Sequence, residues 1–162
     1  MGEFVIRPAR EEDIPALLGF IHEMAEYEKM SDQVTATEEL LHKWIVEKEK
    51  AEVLIPTVDG KSVGYALFFH NFSTFLGKSG IYLEDVYIQP EYRGRGYGKA
   101  IFQKLAQIAL ERGCGRLEWV CLDWNQPSID FYLSMEAEPQ PEWTIYRLTG
   151  ETLEKAAKGE AQ

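Results

Sequence analysis

A glycine-rich segment between a strand-like and a helix-like stretch most constrains how this chain can fold. The segment reads Tyr92-Arg93-Gly94-Arg95-Gly96-Tyr97-Gly98-Lys99. Gly80 to Ile88 reads as a strand, and after the segment Ile101, Leu105 and Ile108 recur at helical spacing. Glycines let a backbone pass close to a ligand, and the first N–H groups of a helix are unpaired donors. The pattern therefore predicts a strand, a loop and a helix whose N-terminus binds an anion.

Three phosphate-binding patterns could explain these glycines. The Walker A pattern fails because Arg93 and Ala100 stand where it requires Gly and Ser or Thr. The dinucleotide pattern Gly-x-Gly-x-x-Gly fails because the glycines alternate. The third pattern, Arg/Gln-x-x-Gly-x-Gly/Ala, is matched by Arg93, Gly96 and Gly98. A glycine turn that merely caps the helix is the alternative without a ligand.

The remaining chain alternates between helical and strand periodicity. Helices are predicted from about Asp13, from Thr35 or Thr37, and over 127–134 and 151–158; further strands are predicted over 4–7, 51–58, 62–72, 116–122 and 143–148. Asp59-Gly60 is predicted to be a tight turn. This order predicts a single α/β or α+β domain over 1–162, built on a mixed sheet, with a C-terminal helix or tail from about residue 150.

Charge and cysteine content narrow the function. The chain has 162 residues and a formal net charge of −10, so it would repel a nucleic-acid backbone and suits a cationic ligand better. Its two cysteines, Cys114 and Cys121, are expected to be reduced thiols. No apolar run is long enough to span a membrane and no signal peptide is recognised, so we expect a cytoplasmic protein. His22 to Glu26 lacks the second His of a zinc motif, and no metal is expected.

Over nearly its whole length the sequence resembles the GCN5-related N-acetyltransferases (GNAT family). The glycine segment matches that family's acyl-CoA pyrophosphate loop. Four shorter stretches resemble its spermidine/spermine (diamine) acetyltransferase subgroup, which includes thialysine acetyltransferases: Ala25-Glu26-Tyr27-Glu28, Leu83-Glu84-Asp85, Tyr92-Arg93-Gly94 and Trp124-Asn125. The resemblance implies a mixed, mostly antiparallel sheet flanked by helices, and a homodimer that exchanges or shares a C-terminal strand, for which Trp143 to Tyr146 is the candidate.

The resemblance also implies acetyl-CoA as donor and a small primary amine as acceptor. Direct attack in a ternary complex is expected because neither Cys114 nor Cys121 is placed as an obvious acyl carrier. The residues implied for acetyl-CoA are Val86, Tyr87, Ile88, Arg93, Gly94, Arg95, Gly96, Tyr97, Gly98, Lys99, Asn125, Pro127, Ser128 and Tyr132. Val86 and Ile88 would act through main-chain atoms. Asn125 also directly precedes a predicted helix and is expected to cap it. The residues implied for the amine are Tyr27, Glu28, Glu84, Glu118, Trp119, Val120 and Glu142.

Two side chains are expected to carry the chemistry. An alkylammonium has a pKa of about 10.4 and must lose a proton before it can attack. Glu84 is the candidate base, through water, and Asp85 takes that role if the strand register differs by one. Tyr132, whose phenol is protonated at neutral pH, is the candidate acid for the departing thiolate. Acetylation of a protein N-terminus or lysine, and a non-catalytic acyl-CoA or polyamine sensor, are the alternatives.

Overall fold

The computed structural model describes residues 2–159, which divide into two compact units between Val120 and Cys121. The first unit holds most of the secondary structure. Its elements are β1 (Phe4–Pro8), α1 (Ile14–Tyr27), α2 (Glu38–Leu41), β2 (Glu52–Val58), β3 (Lys61–Ser62), β4 (Gly64–Ser73), β5 (Lys78–Ile88), α3 (Tyr97–Glu111) and β6 (Leu117–Trp119). Among the described residues, no helix is both long enough and apolar enough to cross a membrane.

The strands form one mixed sheet in the order β1-β2-β4-β5-β6, with β3 paired to β2. All pairs are antiparallel except β5 with β6, which is parallel. The predicted mixed, mostly antiparallel sheet is therefore confirmed. The turn at Asp59 and Gly60 is also confirmed, with φ of +50° and +82°, the left-handed values that a tight hairpin turn requires.

One hydrophobic core cluster of the first unit lies between α1 and the sheet. Its buried side chains are those of Ile14, Leu17, Phe20, Val53, Ile55, Tyr65 and Tyr87. Each fully buried side chain of this size contributes about 1.5–3 kcal/mol through the hydrophobic effect. The periodicity that predicts α1 thus marks the face that holds this helix on the sheet.

The start of α2 resolves the choice between two threonines. The Thr37 side-chain oxygen accepts a hydrogen bond of 3.1 Å from the Leu40 N–H, so Thr37 is the N-cap and Thr35 is not. The helix continues as a π-helix over His42–Glu47, which the sequence analysis did not predict. The His42 ring lies against a carboxylate of the segment before α1, with Nε2 2.5 Å from Glu11 Oε1.

The second unit contains α4 (Gln126–Ser134) and α5 (Gly150–Ala157), close to the predicted bounds. Asn125 is the N-cap of α4, and its Oδ1 accepts a hydrogen bond of 3.4 Å from the Ser128 N–H. Asn125 itself is buried. The capping role that its position before a helix predicts is confirmed.

The prediction of a strand over 143–148 is wrong for the described structure. These residues follow a turn and have no strand assignment, and Trp143 and Tyr146 are 80% and 91% exposed. Alternating apolar residues favour an extended backbone, but a strand exists only where a neighbour accepts its hydrogen bonds. Among the described residues no strand pairs with this segment.

Candidate active site

A β-bulge at Glu84 interrupts the pairing of β4 with β5. Leu67 pairs with Asp85, but the next residue of β4, Phe68, pairs with Leu83, so Glu84 is the extra residue. Leu67 and Phe68 are consecutive and therefore point to opposite faces of the sheet. Their partners do the same, so Leu83 lies on one face and Asp85 on the other.

The bulge also decides which backbone groups of β5 a ligand can reach. The Gln89 N–H donates to the Val63 carbonyl at 2.9 Å, so the backbone of Gln89 faces β4. Backbone groups of successive residues point to alternate sides, and those of Val86 and Ile88 therefore point away from β4. On that side β6 pairs with β5 only at Ile81–Leu83. The main chains of Val86 and Ile88 thus lie on an edge beyond the last pairing with β6.

Carboxylates gather at the bulge. The Tyr65 hydroxyl donates to Asp85 Oδ2 at 3.1 Å. Burial raises the pKa of Asp85 to about 6; the charges of Glu84 and Glu28 act in the same direction, and the hydrogen bond from Tyr65 opposes them. Burial also raises the pKa of Glu28, which directly follows α1. The cluster concentrates negative charge where part of it is withdrawn from water, which suits a cationic ligand.

The glycine segment forms a loop that leads into α3. Gly94 and Gly96 have φ of +75° and +82°, and no described heavy atom lies within 4 Å of where a Cβ would stand on either residue. Gly96 is the N-cap of α3, and no described side chain caps this helix. The first helical hydrogen bond joins the Ala100 N–H to the Gly96 carbonyl, so the N–H groups of 97–99 precede the intrahelical ladder. This open helix end, with its partial positive charge, fits a diphosphate.

Two side chains of the loop contact neighbouring residues. The Tyr97 ring stacks on the Phe4 ring, with centroids 3.9 Å apart and planes 2° from parallel. Arg95 Nη2 donates to the Glu91 carbonyl at 3.2 Å, and its guanidinium lies 5.5 Å from the centroid of the Tyr92 ring. The loop therefore offers backbone donors, while the Tyr97 ring packs on the protein.

Arg93, which is predicted to bind acetyl-CoA, lies beside Tyr27, which is predicted to bind the amine. Its Nε donates to the Ile88 carbonyl at 2.8 Å. Its Cζ lies 5.3 Å from the centroid of the Tyr27 ring and 5.5 Å from that of the Tyr87 ring. The tyrosine that the resemblance assigns to the amine thus contacts the arginine that it assigns to acetyl-CoA.

The residues predicted on β6 have structural contacts of their own. Glu118 accepts a hydrogen bond of 3.1 Å from Asn71 Nδ2 and forms an ion pair of 3.1 Å with Arg116. The Trp119 ring packs edge-on against Phe102, with centroids 4.8 Å apart. Val120, the next residue, is 56% exposed. An acceptor role for these three residues stays a prediction.

The second unit holds the other predicted residues. Pro127 and Ser128 lie in the first turn of α4, whose N-cap is Asn125. Tyr132 lies in the last turn of the same helix, half-buried, with its ring 5.7 Å from that of Phe131. Glu142 is exposed in the turn before the extended segment. Their roles toward acetyl-CoA and the amine stay predictions.

Two parts of this arrangement were not predicted from the sequence: Tyr65, whose hydroxyl donates to Asp85, and the bulge itself. A signal for the bulge exists, because the apolar residues of β5 are odd-numbered at Ile81 and Leu83 but even-numbered at Val86 and Ile88. Such a slip in alternation indicates one inserted residue. Residues 2–159 contain no group of three or more His, Cys, Asp or Glu side chains that could hold a metal ion.

Comparisons with known proteins agree with this geometry. The model of the acetyltransferase (GNAT) family matches residues 17–136. Thialysine N-epsilon-acetyltransferase of Bos taurus is 39% identical, over 97% of this chain and 99% of its own length. An L-ornithine N5-acetyltransferase of Arabidopsis thaliana is 42% identical, over 59% of this chain and 42% of its own. Among solved structures, an integron cassette protein from the mobile metagenome of V. cholerae superposes with a TM-score of 0.80 at 26% identity, covering 96% of this chain and 98% of that one.

Proposed function

This chain belongs to the GNAT family of acetyltransferases, and on that premise we propose that it transfers an acetyl group from acetyl-CoA to the terminal primary amine of a small cationic acceptor. The observation that carries the proposal is the position of the bulge. At the extra residue of β5, the carboxylates of Glu84 and Asp85 directly precede Val86 and Ile88, whose main chains lie beyond the pairing with β6, and the same strand precedes the loop that leads into α3.

The donor would be held mainly by backbone groups. The N–H groups of 97–99 suit the diphosphate, and the main chains of Val86 and Ile88 suit an extended arm with amide groups of its own. Asn125, Pro127 and Ser128 would add contacts from the start of α4. Acetyl-CoA bound there would supply the acetyl group as an activated thioester. A main-chain N–H near Val86 would polarise the thioester carbonyl.

The acceptor would be bound as a cation and activated as a free amine. Glu28, Glu84 and Asp85 attract the ammonium group, and Tyr27 provides an aromatic face for it. Glu118, Trp119, Val120 and Glu142 would complete the acceptor site. One of the adjacent carboxylates, Glu84 or Asp85, takes the proton directly or through a water that it holds, which frees the nitrogen lone pair for attack.

Tyr132 would complete the transfer. Its phenol gives its proton to the departing thiolate, so that the thiol leaves as a neutral group. A ternary complex, without an acyl-enzyme step, is supported by the cysteines, because Cys114 is buried and Cys121 is half-buried. We therefore propose direct attack of the amine on the thioester.

The proposed acceptors are diamines, polyamines and lysine-like amino acids such as thialysine or ornithine. The names of the relatives support this choice, as does a formal net charge of −10. We further propose a cytoplasmic homodimer of single-domain chains. The exposed apolar side chains of Trp143, Ile145 and Tyr146 support a second copy as the partner that pairs with this segment.

An assay of free thiol release tests the reaction. Acetyl-CoA is supplied with spermidine, spermine, short diamines, thialysine, ornithine, lysine or a histone peptide, each in turn. We expect turnover with at least one small amine and little with the peptide. Turnover with the peptide alone would instead support protein acetylation. Calorimetric binding of acetyl-CoA without any turnover would support the sensor, and no binding would overturn the assignment of the glycine loop.

A further inference from the structure

The guanidinium of Arg93 is fixed between two elements of the fold. Its Cζ lies over the Tyr27 ring at the end of α1 and over the Tyr87 ring near the end of β5. Its Nε is bound to the carbonyl of Ile88, the last residue of β5. A planar guanidinium that stacks on aromatic rings and donates in its own plane is held in one orientation.

Both tyrosines belong to a wider contact between α1 and β5. Tyr87 is 6% exposed and its hydroxyl donates to Glu23 Oε1 at 3.1 Å. Gln89 Nε2 donates to the same carboxylate, at 3.3 and 3.4 Å from its two oxygens. Glu23 and Tyr27 are four residues apart on α1 and therefore share one face of that helix. Arg93 closes this contact from the loop side.

The carbonyl that Arg93 binds belongs to Ile88, the residue at which β5 ends. The backbone of Ile88 faces away from β4, and Gln89 and a short 3-10 helix (Pro90–Tyr92) separate it from the glycines of the loop. Because Arg93 itself belongs to the loop, its hydrogen bond to this carbonyl joins the loop to the end of the exposed edge. The backbone donors at the start of α3 depend on that loop for their position.

We propose that Arg93 is a positioning residue of the donor site, which locks the end of β5 and the glycine loop onto α1 instead of contacting the diphosphate. The inference rests on the proposed acetyl transfer and adds how its two substrate sites are joined. Tyr27, at the end of α1, is proposed to bind the amine. The contacts of Arg93 therefore also fix the amine site relative to the acetyl-CoA site.

A donor without a diphosphate separates the two roles. We expect Arg93→Ala to lower kcat/KM about 10- to 100-fold for S-acetylpantetheine, which uses the end of β5, and by at least as much for acetyl-CoA, which also uses the loop. Arg93→Lys, which keeps the charge but not the planar fork, should resemble Arg93→Ala. A phosphate contact would instead leave S-acetylpantetheine unaffected by Arg93→Ala and would be largely preserved by Arg93→Lys; either result would overturn the proposal. As a reference, Lys99→Ala should lower kcat/KM for acetyl-CoA more than kcat/KM for S-acetylpantetheine.

Hydrogen exchange in the ligand-free protein provides a readout that needs no turnover. The Gln89 N–H, bound to Val63 at the end of β5, should exchange at least tenfold faster in Arg93→Ala than in the parent protein. The Ile81 N–H, bound to the Arg116 carbonyl, should exchange at the same rate in both. Unchanged exchange at Gln89 would overturn the positioning role. If the parent protein turned over neither donor, only the proposed function would be overturned. Hydrogen exchange at Gln89 would still test the positioning role of Arg93.

Discussion

The Tyr65 hydroxyl donates a hydrogen bond of 3.1 Å to Asp85 Oδ2, a carboxylate that burial and its neighbours Glu84 and Glu28 make difficult to ionise. The folded-state pKa of about 6 is above the ordinary Asp value of about 3.9. The stability linked to Asp85 is therefore fully present below about pH 4 and is lost as the pH rises through about 6. At neutral pH the protein carries a charge that opposes its folding.

Asp85→Asn should thus change stability and activity in opposite directions. At pH 7.5 we expect the free energy of unfolding to rise by about 2 kcal/mol, because the amide removes the buried charge. We expect kcat/KM to fall at least tenfold, because an amide neither accepts a proton nor attracts an ammonium. Urea unfolding at pH 4 and pH 7.5 and the thiol assay measure both.

The exposed neighbour gives the matched comparison for that variant. Glu84→Gln should lower activity as well but raise the free energy of unfolding by less than half as much, since Glu84 is exposed to water. A decrease in stability in Asp85→Asn at pH 7.5 would contradict the assignment of the buried charge.

Gly96→Ala should weaken acetyl-CoA binding beyond its effect on stability. Gly60 has the same φ of +82°, and at both residues no described atom lies within 4 Å of an added Cβ. Both alanine variants should lose about 1–2 kcal/mol of stability through backbone strain alone. Calorimetry should show the dissociation constant of acetyl-CoA rising about tenfold in Gly96→Ala and staying unchanged in Gly60→Ala. Equal binding in the two variants would place the donor elsewhere.

Tyr132→Phe should impair the chemical step and spare binding. The variant keeps the ring that packs near Phe131 and loses only the phenolic hydroxyl group, which carries the proton. We expect kcat to fall about 100-fold, within the range for general acid catalysis, and the acetyl-CoA dissociation constant to change less than threefold. A parallel loss of affinity would instead assign Tyr132 to donor binding.

Asp13→Asn should destabilise the fold. Asp13 is 7% exposed and accepts three hydrogen bonds: from Arg7 Nη1 at 2.7 Å, Arg7 Nη2 at 2.9 Å and the Arg10 N–H at 2.6 Å. Removing its charge leaves Arg7 without its counter-ion, and we expect a loss of about 2–3 kcal/mol in urea unfolding at pH 7. The exposed Glu12→Gln, 4.0 Å from Arg10, should change stability by less than about 0.5 kcal/mol.

The same pair predicts how acid affects the protein. The hydrogen bonds from Arg7 hold the pKa of Asp13 below its ordinary value. Its contribution is present above about pH 4 and is lost as the pH falls through the lower folded-state pKa. The stability of the parent protein should therefore fall below pH 4, and Asp13→Asn should lack that part of the decrease.

Ile145→Asp should shift the protein from dimer to monomer in sedimentation velocity, because it places a charge in the exposed apolar segment proposed to pair with a second copy. Leu110→Asp, at a 78% exposed leucine of α3, is the control and should leave the dimer intact. A parent protein that sediments as a monomer at micromolar concentration would contradict the homodimer.

Local chemistry made much of this fold predictable. The glycine segment, the turn at Asp59 and the cap at Asn125 each depend on residues close in sequence, and the structure has all three where they are predicted. The strand at 143–148 was wrong because strand formation depends on a partner that the segment does not itself encode. The contact between Arg93 and Tyr27 joins residues 66 positions apart and has no local signature.

The extra residue in β5 limits how this protein can evolve. The two proposed substrate sites share one strand, and the bulge at Glu84 sets the orientation of the residues proposed for both. A substitution at Glu84 or at Asp85 would change one carboxylate at a time. Deletion of its codon would force half of the strand to turn over, which would redirect Asp85 or the main chains of Val86 and Ile88 in a single event. A lineage can therefore vary the amine that it accepts by substitution, but it cannot lose this position and keep both substrates.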